Sequence, residues 1–224
     1  MPSAIKTVIF DLGGVFISSD FGPKFFGDAE QQLHIPPEDL RHVMDIHEGE
    51  YQAGRLSNDD FWSNVVKELQ RSPEDAQALS NFWFNRYKET TVSIPMVRLL
   101  RKLKESGYLA AALSNTQEPH ISWHKDFYDL FDAVCLSAEV GRVKPHWEIY
   151  DHFLKELKIK PEEAVFVDDS PKHLIQPREH GMHTILFQDA NQCKSKLRDL
   201  GIRWGEQGYE PSFEPRGSGP EGNK

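Results

Sequence analysis

Cysteine is scarce in this chain: Cys135 and Cys193 are the two cysteines among 224 residues. Small secreted domains held together by disulfides carry a much higher proportion. We therefore expect both thiols to be buried apolar side chains in a reducing compartment, rather than a disulfide or a catalytic thiol. The N-terminus also lacks the apolar stretch and small-residue cleavage site of a signal peptide, so we expect a cytoplasmic location.

Long apolar runs and clusters of positive charge are missing as well. No stretch approaches the roughly 18 apolar residues of a membrane-spanning helix, which argues against a membrane partner. With a formal net charge of −9 and no basic block, the chain lacks the surface that binds nucleic acid or anionic lipid. Its 38% of apolar and 27% of charged residues are typical of a globular protein. We expect a monomer or homodimer that acts on a small molecule.

Short apolar runs alternate with helical segments over most of the chain. The runs at 7–10, 108–113, 164–167 and 184–187 predict buried strands, and a candidate fifth strand lies at 133–136. Apolar residues at i, i+3, i+4 and i+7 predict helices between the later runs. This alternation favours an α/β fold with a parallel, doubly wound sheet.

One interval departs from the alternation and contains helix signals alone. Ser57 caps an apolar, periodic segment, and Ser72-Pro73 begins another helix. The C-terminal end is rich in glycine, proline and glutamate and has little apolar surface to bury. We therefore predict three parts: an α/β core at 1–17 and 94–200, an inserted helical lobe at 18–93 and a flexible tail at 201–224.

Reactive side chains follow the predicted strands at the point where each strand ends. In an open α/β sheet, ligands bind beyond the carboxyl ends of the strands. Four short segments carry these residues: Phe10-Asp11-Leu12-Gly13-Gly14-Val15, Leu113-Ser114-Asn115-Thr116, Val143-Lys144-Pro145 and Val167-Asp168-Asp169-Ser170. We expect them to meet at one edge of the sheet.

These four segments, in this order, resemble the motifs of the haloacid dehalogenase-like hydrolase superfamily, over about residues 5 to 190. The resemblance implies a Rossmann-like core with an inserted all-helical cap. It also implies a Mg²⁺-dependent phosphatase that hydrolyses a small phosphorylated metabolite. A phosphoryl group carries negative charge, and attack by a carboxylate requires that charge to be neutralised by a metal ion, a lysine and hydrogen-bond donors.

The resemblance also implies a role for each matching residue. Asp11 would be the nucleophile that forms an aspartyl-phosphate, Lys144 would supply fixed positive charge, and Ser114 would donate to a phosphoryl oxygen. Asn115 and Thr116 would help to bind the substrate. The implied Mg²⁺ ligands are Asp11, the carbonyl of Gly13, Asp168 and Asp169, which are hard oxygen donors suited to this ion.

One departure from the family pattern concerns Gly13. Many phosphatases of the superfamily have an aspartate there, which protonates the leaving group, and its loss can cost about 10²–10⁴-fold in rate. Three alternatives follow: a phosphatase with another donor or a good leaving group, a 2-haloacid dehalogenase, or a silent relative that binds a phosphorylated ligand. Asp168 and Asp169 favour Mg²⁺ and phosphate. The chain resembles the glucose-1-phosphate phosphatase-like members, which also have glycine there, so we expect a sugar phosphate as substrate.

Substrate selection is expected from the helical lobe. The candidate residues near its junction with the core are Phe16, Asp20, His47, Glu48, Tyr51 and Arg55. Arg55 is the strongest candidate because a guanidinium can hold a phosphate or a hydroxyl through its forked donors.

Histidine and proline supply three further features of the sequence. His173 stands where relatives often have Asn or Asp, and it either orients a neighbour or faces solvent. Pro177 is expected to kink or shorten its helix. His120 and His124 have the i, i+4 spacing of a zinc pair, but aromatic neighbours and the lack of a third ligand nearby favour a packed helix.

Overall fold

A five-stranded parallel sheet forms the centre of the protein. The computed structural model describes residues 4–123 and 125–205, so His124 and most of the predicted tail, 206–224, lie outside the described residues. The strands are β1 (Thr7–Phe10), β2 (Leu109–Ser114), β3 (Ala133–Leu136), β4 (Ala164–Asp168) and β5 (His183–Leu186). Their order across the sheet is β3-β2-β1-β4-β5, and every neighbouring pair is parallel. The predicted α/β class is confirmed, and each predicted strand end lies within one residue of the observed one.

Eleven helices are present in the described residues. They are α1 (Phe21–Leu33), α2 (Pro37–Gln52), α3 (Asn58–Glu68), α4 (Pro73–Lys88), α5 (Ile94–Glu105), α6 (Glu118–Trp123), α7 (Lys125–Tyr128), α8 (Ser137–Val140), α9 (Trp147–Leu157), α10 (Ile175–Glu179) and α11 (Ala190–Asp199). Two 3-10 helices, Pro161–Glu163 and Pro171–Leu174, flank β4. None of the described helices is long and apolar enough to cross a membrane.

Apolar side chains cover both faces of the sheet, which explains why the strands read as continuous apolar runs. Val8 and Phe10 point into one apolar cluster together with α5 and α11, and Ile9 points into a second cluster on the opposite face with α9. Both clusters are built from buried residues. Packing on both faces therefore holds the strand ends, and the residues that follow them, in place.

The helices between β1 and α5 build a separate apolar cluster. Phe25, Leu40, Trp62 and Leu79 are fully buried in it. As its sequence predicts, Ser57 caps α3 by accepting a hydrogen bond from the backbone amide of Asp60 at 3.1 Å. We call helices α1–α4 the cap.

Two connecting segments join the cap to the core and run side by side. Ile17 and Val92 form an antiparallel bridge. The Ser18 amide donates to the Thr91 carbonyl at 2.9 Å, and the Ser93 amide donates to the Phe16 carbonyl at 2.7 Å. We propose that the cap spans 18–93, as the sequence predicts, because this paired stretch is where the two clusters separate.

The short helix α10 has the length that its proline suggests. It contains five residues, with Pro177 buried in its middle, and it directly follows the 3-10 helix Pro171–Leu174. An interior proline removes a helical hydrogen bond and crowds the preceding turn, so a long helix is disfavoured here.

Candidate active site

The carboxyl ends of β2, β1 and β4 bring three of the sequence motifs together. These strands are neighbours in the sheet, so Ser114, Asp11 and Asp168 emerge at the same edge. All three residues are buried. A fourth motif residue, Lys144, reaches this edge from the loop between α8 and α9.

Lys144 bridges the two buried carboxylates. Its Nζ lies 2.9 Å from Oδ1 of Asp11 and 2.7 Å from Oδ2 of Asp168. The backbone of Lys144 is held by Asn115, whose Nδ2 donates to its carbonyl at 3.0 Å and whose Oδ1 accepts from its amide at 2.8 Å. The predicted substrate-binding residue Asn115 therefore positions the lysine.

The three charges affect the pKa of one another. Burial raises the pKa of Asp11 to about 6, and Asp168 adds to the rise while Lys144 opposes it. Burial also favours the neutral form of Asp168, but Lys144 and His173 outweigh it and hold its pKa below the usual value. The two carboxylates outweigh burial at Lys144 and raise its pKa, so the lysine stays charged. Asp11 is thus the more basic of the two carboxylates that Lys144 contacts.

His173 contacts Asp168. Its Nδ1 lies 3.1 Å from both oxygens of that carboxylate. The sequence left its role open between an orienting contact and solvent exposure, and its side chain is 13% exposed. Atoms of Asp11, Asp168 and His173 that could bind a metal lie within 4.8 Å of one another.

Asp169 lies against the loop that follows Asp11. A Cβ on Gly14 would lie 1.9 Å from Oδ2 of Asp169, and Gly14 has a φ of +71°, so glycine is strongly favoured at this position. Burial raises the pKa of Asp169, and the charge of Asp168 raises it further. Three carboxylates at one edge with one lysine between them leave an excess of negative charge, which fits a divalent cation with oxygen ligands.

A cavity of about 180 Å³ lies between this edge and the cap. Ser114 and Thr116 line it from the core, and Glu48 lines it from α2. Aromatic side chains also contribute: Phe21, Trp83, Tyr87 and Tyr128. The amide of Thr116 donates to Ser137 at 2.9 Å, so any contact of Thr116 with a substrate is left to its side chain.

Gln52 and Ser137, which the sequence did not single out, connect cap and core. Gln52, at the end of α2, accepts a hydrogen bond from Nδ2 of Asn115 at 3.0 Å, and its carbonyl accepts from Oγ of Ser137 at 2.6 Å. Its Nε2 donates to Oε1 of Glu48 at 2.8 Å. Neither residue belongs to a recognisable motif, and the i, i+4 spacing of Glu48 and Gln52 was the one available signal.

The structure does not bring Arg55 to the carboxylate cluster in any described contact. Its Nε and Nη2 donate to Glu50 at 2.7 and 2.8 Å, and its Nη1 donates to the carbonyl of Gly141 at 2.9 Å. The side chain is 51% exposed. Substrate binding by Arg55 stays a prediction, and the observed contact is an anchor between cap and core.

The other cap candidates lie in varied places. Phe16 is buried in the core against Phe10, Phe127 and Phe131, and Tyr51 stacks on Phe61. The two remaining candidates are Asp20, which is exposed at the start of α1, and His47, whose Nε2 is buried with no hydrogen-bond partner among the described residues.

His120 is packed among aromatic rings, as the sequence favours. Its ring stacks on Tyr87 with a centroid distance of 3.4 Å, and its Nε2 accepts from Nε1 of Trp83 at 3.0 Å. The second histidine of the candidate pair, His124, lies outside the described residues. Cys135 and Cys193 are free and buried, as expected.

A family model described as haloacid dehalogenase-like hydrolase matches residues 5–177. The chain belongs to this family of hydrolases. A D-ribitol-5-phosphate phosphatase of Bacteroides thetaiotaomicron is 29% identical to this hydrolase over 203 residues, which cover 84% of this chain and 93% of the relative. A sesquiterpene phosphatase of Aspergillus oryzae is 26% identical over 208 residues, which cover 89% and 98%.

Other relatives of this haloacid dehalogenase-like hydrolase are longer proteins. The bifunctional epoxide hydrolase 2 of Sus scrofa is 25% identical over 216 residues, and the match covers 88% of this chain but 39% of that protein. Among solved structures, the magnesium complex of a HAD family enzyme from Bacteroides thetaiotaomicron has a TM-score of 0.66 at 24% identity, covering 88% and 99% of the two chains. That likeness concerns the fold.

Proposed function

We propose that this hydrolase is a Mg²⁺-dependent phosphatase that cleaves a small phosphomonoester through an aspartyl-phosphate on Asp11. The observation that carries the proposal is the buried Lys144 ammonium between Asp11 and Asp168 at the carboxyl edge of the sheet. A fixed positive charge beside a nucleophilic carboxylate offsets the repulsion between that carboxylate and a phosphoryl group.

Hydrogen bonds orient the nucleophile. Oδ1 of Asp11 accepts from the amide of Leu12 at 2.7 Å and contacts Lys144. We therefore assign the attack on phosphorus to Oδ2. Ser114, the last residue of β2 beside β1, lines the cavity and is assigned to donate to a non-bridging phosphoryl oxygen.

The metal ion is assigned to the residues that the sequence predicts. Asp11, Asp168, Asp169 and the carbonyl of Gly13 would hold Mg²⁺, and the concentration of carboxylates at this edge supports the assignment. When bound, the ion would neutralise charge on the phosphoryl oxygens.

We propose a sugar phosphate, in particular a sugar 1-phosphate, as the substrate. The cavity of about 180 Å³ is smaller than the roughly 300–1,000 Å³ typical of pockets for drug-sized ligands, which favours a small leaving group. Glu48 and Gln52 supply polar atoms for hydroxyl groups, and one relative is named as a ribitol phosphate phosphatase. The ligand proposed for the cavity is therefore a small phosphorylated metabolite. The buried free thiols support a cytoplasmic location of the enzyme.

The aromatic wall of the cavity favours a second candidate, a phosphate ester with an apolar leaving group. Phe21, Trp83 and Tyr87 present apolar surface to the cavity, and another relative is named as a sesquiterpene phosphatase. A leaving group of that size would need a wider opening between cap and core than the present cavity offers.

Phosphate release separates these candidates. We would assay sugar 1-phosphates, other sugar phosphates, prenyl phosphates and p-nitrophenyl phosphate with and without Mg²⁺. Asp11→Asn should abolish turnover, whereas Asp39→Asn, at an exposed cap position in the first turn of α2, is the matched control. Metal-dependent release with sugar 1-phosphates preferred would support the proposal. Chloride release from 2-haloacids without phosphate release would overturn it in favour of the dehalogenase alternative.

A further inference from the structure

An alkyl phosphate cannot lose its alcohol easily without a proton donor. The departing alkoxide is strongly basic, and a general acid typically contributes about 10²–10⁴-fold to the rate. Gly13, which lines the cavity two residues after Asp11, has no side chain to donate with. A Cβ on Gly13 would meet nothing within 4 Å, so the space beside it is open.

Four side chains among the described residues lining the cavity can carry a titratable proton: Glu48, Tyr87, His120 and Tyr128. Burial raises the pKa of both tyrosines, that of Tyr128 to about 12, so both release a proton poorly near neutral pH. Nε2 of His120 accepts from Trp83, and its ring is stacked on Tyr87. Glu48 is the one carboxylic acid among these four, and it lines the cavity from the cap.

We propose that Glu48 of α2 is the general acid that protonates the leaving oxygen of the substrate. This proposal rests on the proposed phosphatase function. As Oδ2 of Asp11 bonds to phosphorus, the bond from phosphorus to the ester oxygen breaks, and the proton of Glu48 moves to that oxygen to form the alcohol. The resulting carboxylate then accepts a proton from the water that attacks the aspartyl-phosphate, which releases phosphate and restores both carboxyl groups.

Hydrogen bonds link Glu48 to the reaction centre across the boundary between cap and core. Oε1 of Glu48 accepts from Gln52, and Gln52 accepts from Asn115, which in turn holds the backbone of Lys144. The position of the acid is therefore tied to the position of the lysine beside the nucleophile. Because Oε1 is engaged by Gln52, Oε2 is assigned to carry the transferred proton.

The charges around Glu48 support its protonated form. Burial raises the pKa of Glu48, and the nearby carboxylate of Asp45 raises it further, while Lys172 on the core opposes the rise. The pKa therefore lies above that of an ordinary glutamate, closer to the pH at which an acid can both hold and release a proton.

The test compares two leaving groups in Glu48→Gln, which keeps an oxygen for Gln52 but cannot donate the proton. Turnover of an alkyl phosphate should fall about 10²-fold or more, whereas p-nitrophenyl phosphate, whose leaving group needs no proton, should change less than about fivefold. In the wild type, alkyl phosphate turnover should fall as pH rises through the Glu48 pKa, and this limb should disappear in the variant. Glu38→Gln, an exposed carboxyl at the other end of α2, is the control.

A second variant tests whether a proton donor is what was lost. The open space at Gly13 accommodates a side chain, so adding Gly13→Asp to Glu48→Gln should restore alkyl phosphate turnover at least about tenfold. An equal loss with both leaving groups, or a selective loss in His120→Gln instead, would overturn the role of Glu48. A wild type that releases no phosphate with Mg²⁺ would reject the proposed phosphatase itself.

Discussion

The core and the cap meet at the same cavity but contribute different kinds of residue to it. The core supplies charged groups at the ends of buried parallel strands, where Asp11 and Asp168 lie on neighbouring strands with Lys144 between them. The cap supplies aromatic rings together with Glu48 and Gln52. In the proposed phosphatase, the strand ends would hold the charges that act on the phosphoryl group, and the cap helices would carry the groups that meet the rest of the substrate.

The largest effect should follow from removing the lysine of the core. Lys144→Met leaves two buried carboxylates without their counter-charge, so phosphatase turnover should fall by about 10²–10³-fold. The free energy of unfolding should fall by about 3–5 kcal/mol, because breaking a buried ion pair leaves uncompensated charge. Phosphate release and urea denaturation measure the two effects. Lys155→Met, at a 75% exposed lysine, is the control, and equal behaviour of the two variants would refute the assigned role.

The loop after Asp11 offers a matched pair of glycine substitutions. Gly14→Ala would place a Cβ 1.9 Å from Asp169 in a backbone with φ of +71°, whereas the Cβ of Gly13→Ala would meet nothing within 4 Å. We expect Gly14→Ala to lose about 1–3 kcal/mol of stability, the usual range for a forced backbone or rotamer, and to displace Asp169. The free energy of unfolding of Gly13→Ala should lie within about 0.5 kcal/mol of the wild-type value, the usual range for a change that disturbs no packing. Thermal denaturation of both variants is the measurement, and similar losses would contradict this account of the loop.

The link between cap and core should give an intermediate effect. Ser137 is fully buried, donates to the Gln52 carbonyl and accepts from the Thr116 amide. Ser137→Ala leaves both partners unsatisfied, which should cost about 1–3 kcal/mol. Because the cap is then held less firmly, KM should rise more than kcat falls. Steady-state kinetics of Ser137→Ala tests this expectation, with Ser122→Ala, at an exposed serine of α6, as the control. An unchanged KM would show that Ser137 does not help to hold the cap on the core.

The smallest effect should come from an ion pair inside the cap. Arg86 of α4 donates to both oxygens of Asp28 in α1, at 2.6 and 2.8 Å. The hydrogen bond from Arg86 holds the pKa of Asp28 below its usual value. The pair therefore stabilises the fold above the ordinary aspartate pKa, and this contribution is lost as pH falls through the lowered pKa.

Asp28→Asn should lower the free energy of unfolding by about 1 kcal/mol near neutral pH and leave kcat unchanged. The difference from the wild type should shrink in acid. Denaturation at several pH values checks this expectation, and a loss of activity without a loss of stability would place Asp28 in the catalytic machinery instead.

Much of the core could be predicted from local patterns, because a strand buried on both faces reads as an apolar run wherever it lies. All five runs became strands, and the charged residues after them converged because parallel strands end at the same edge. The cap was harder to interpret. Phe16, proposed as a cap contact, packs among core aromatics, and Arg55 pairs with Glu50 and Gly141.

The sequence by itself determined the succession of strands and helices along the chain, the helical insertion and the family motifs, since these depend on neighbours along the chain. Only the tertiary structure decided that His173 contacts Asp168, that Gln52 joins Asn115 to Glu48, and that a small cavity lies between cap and core. Such contacts depend on which helix faces which strand end, and residues distant in sequence meet there through packing that no local pattern encodes.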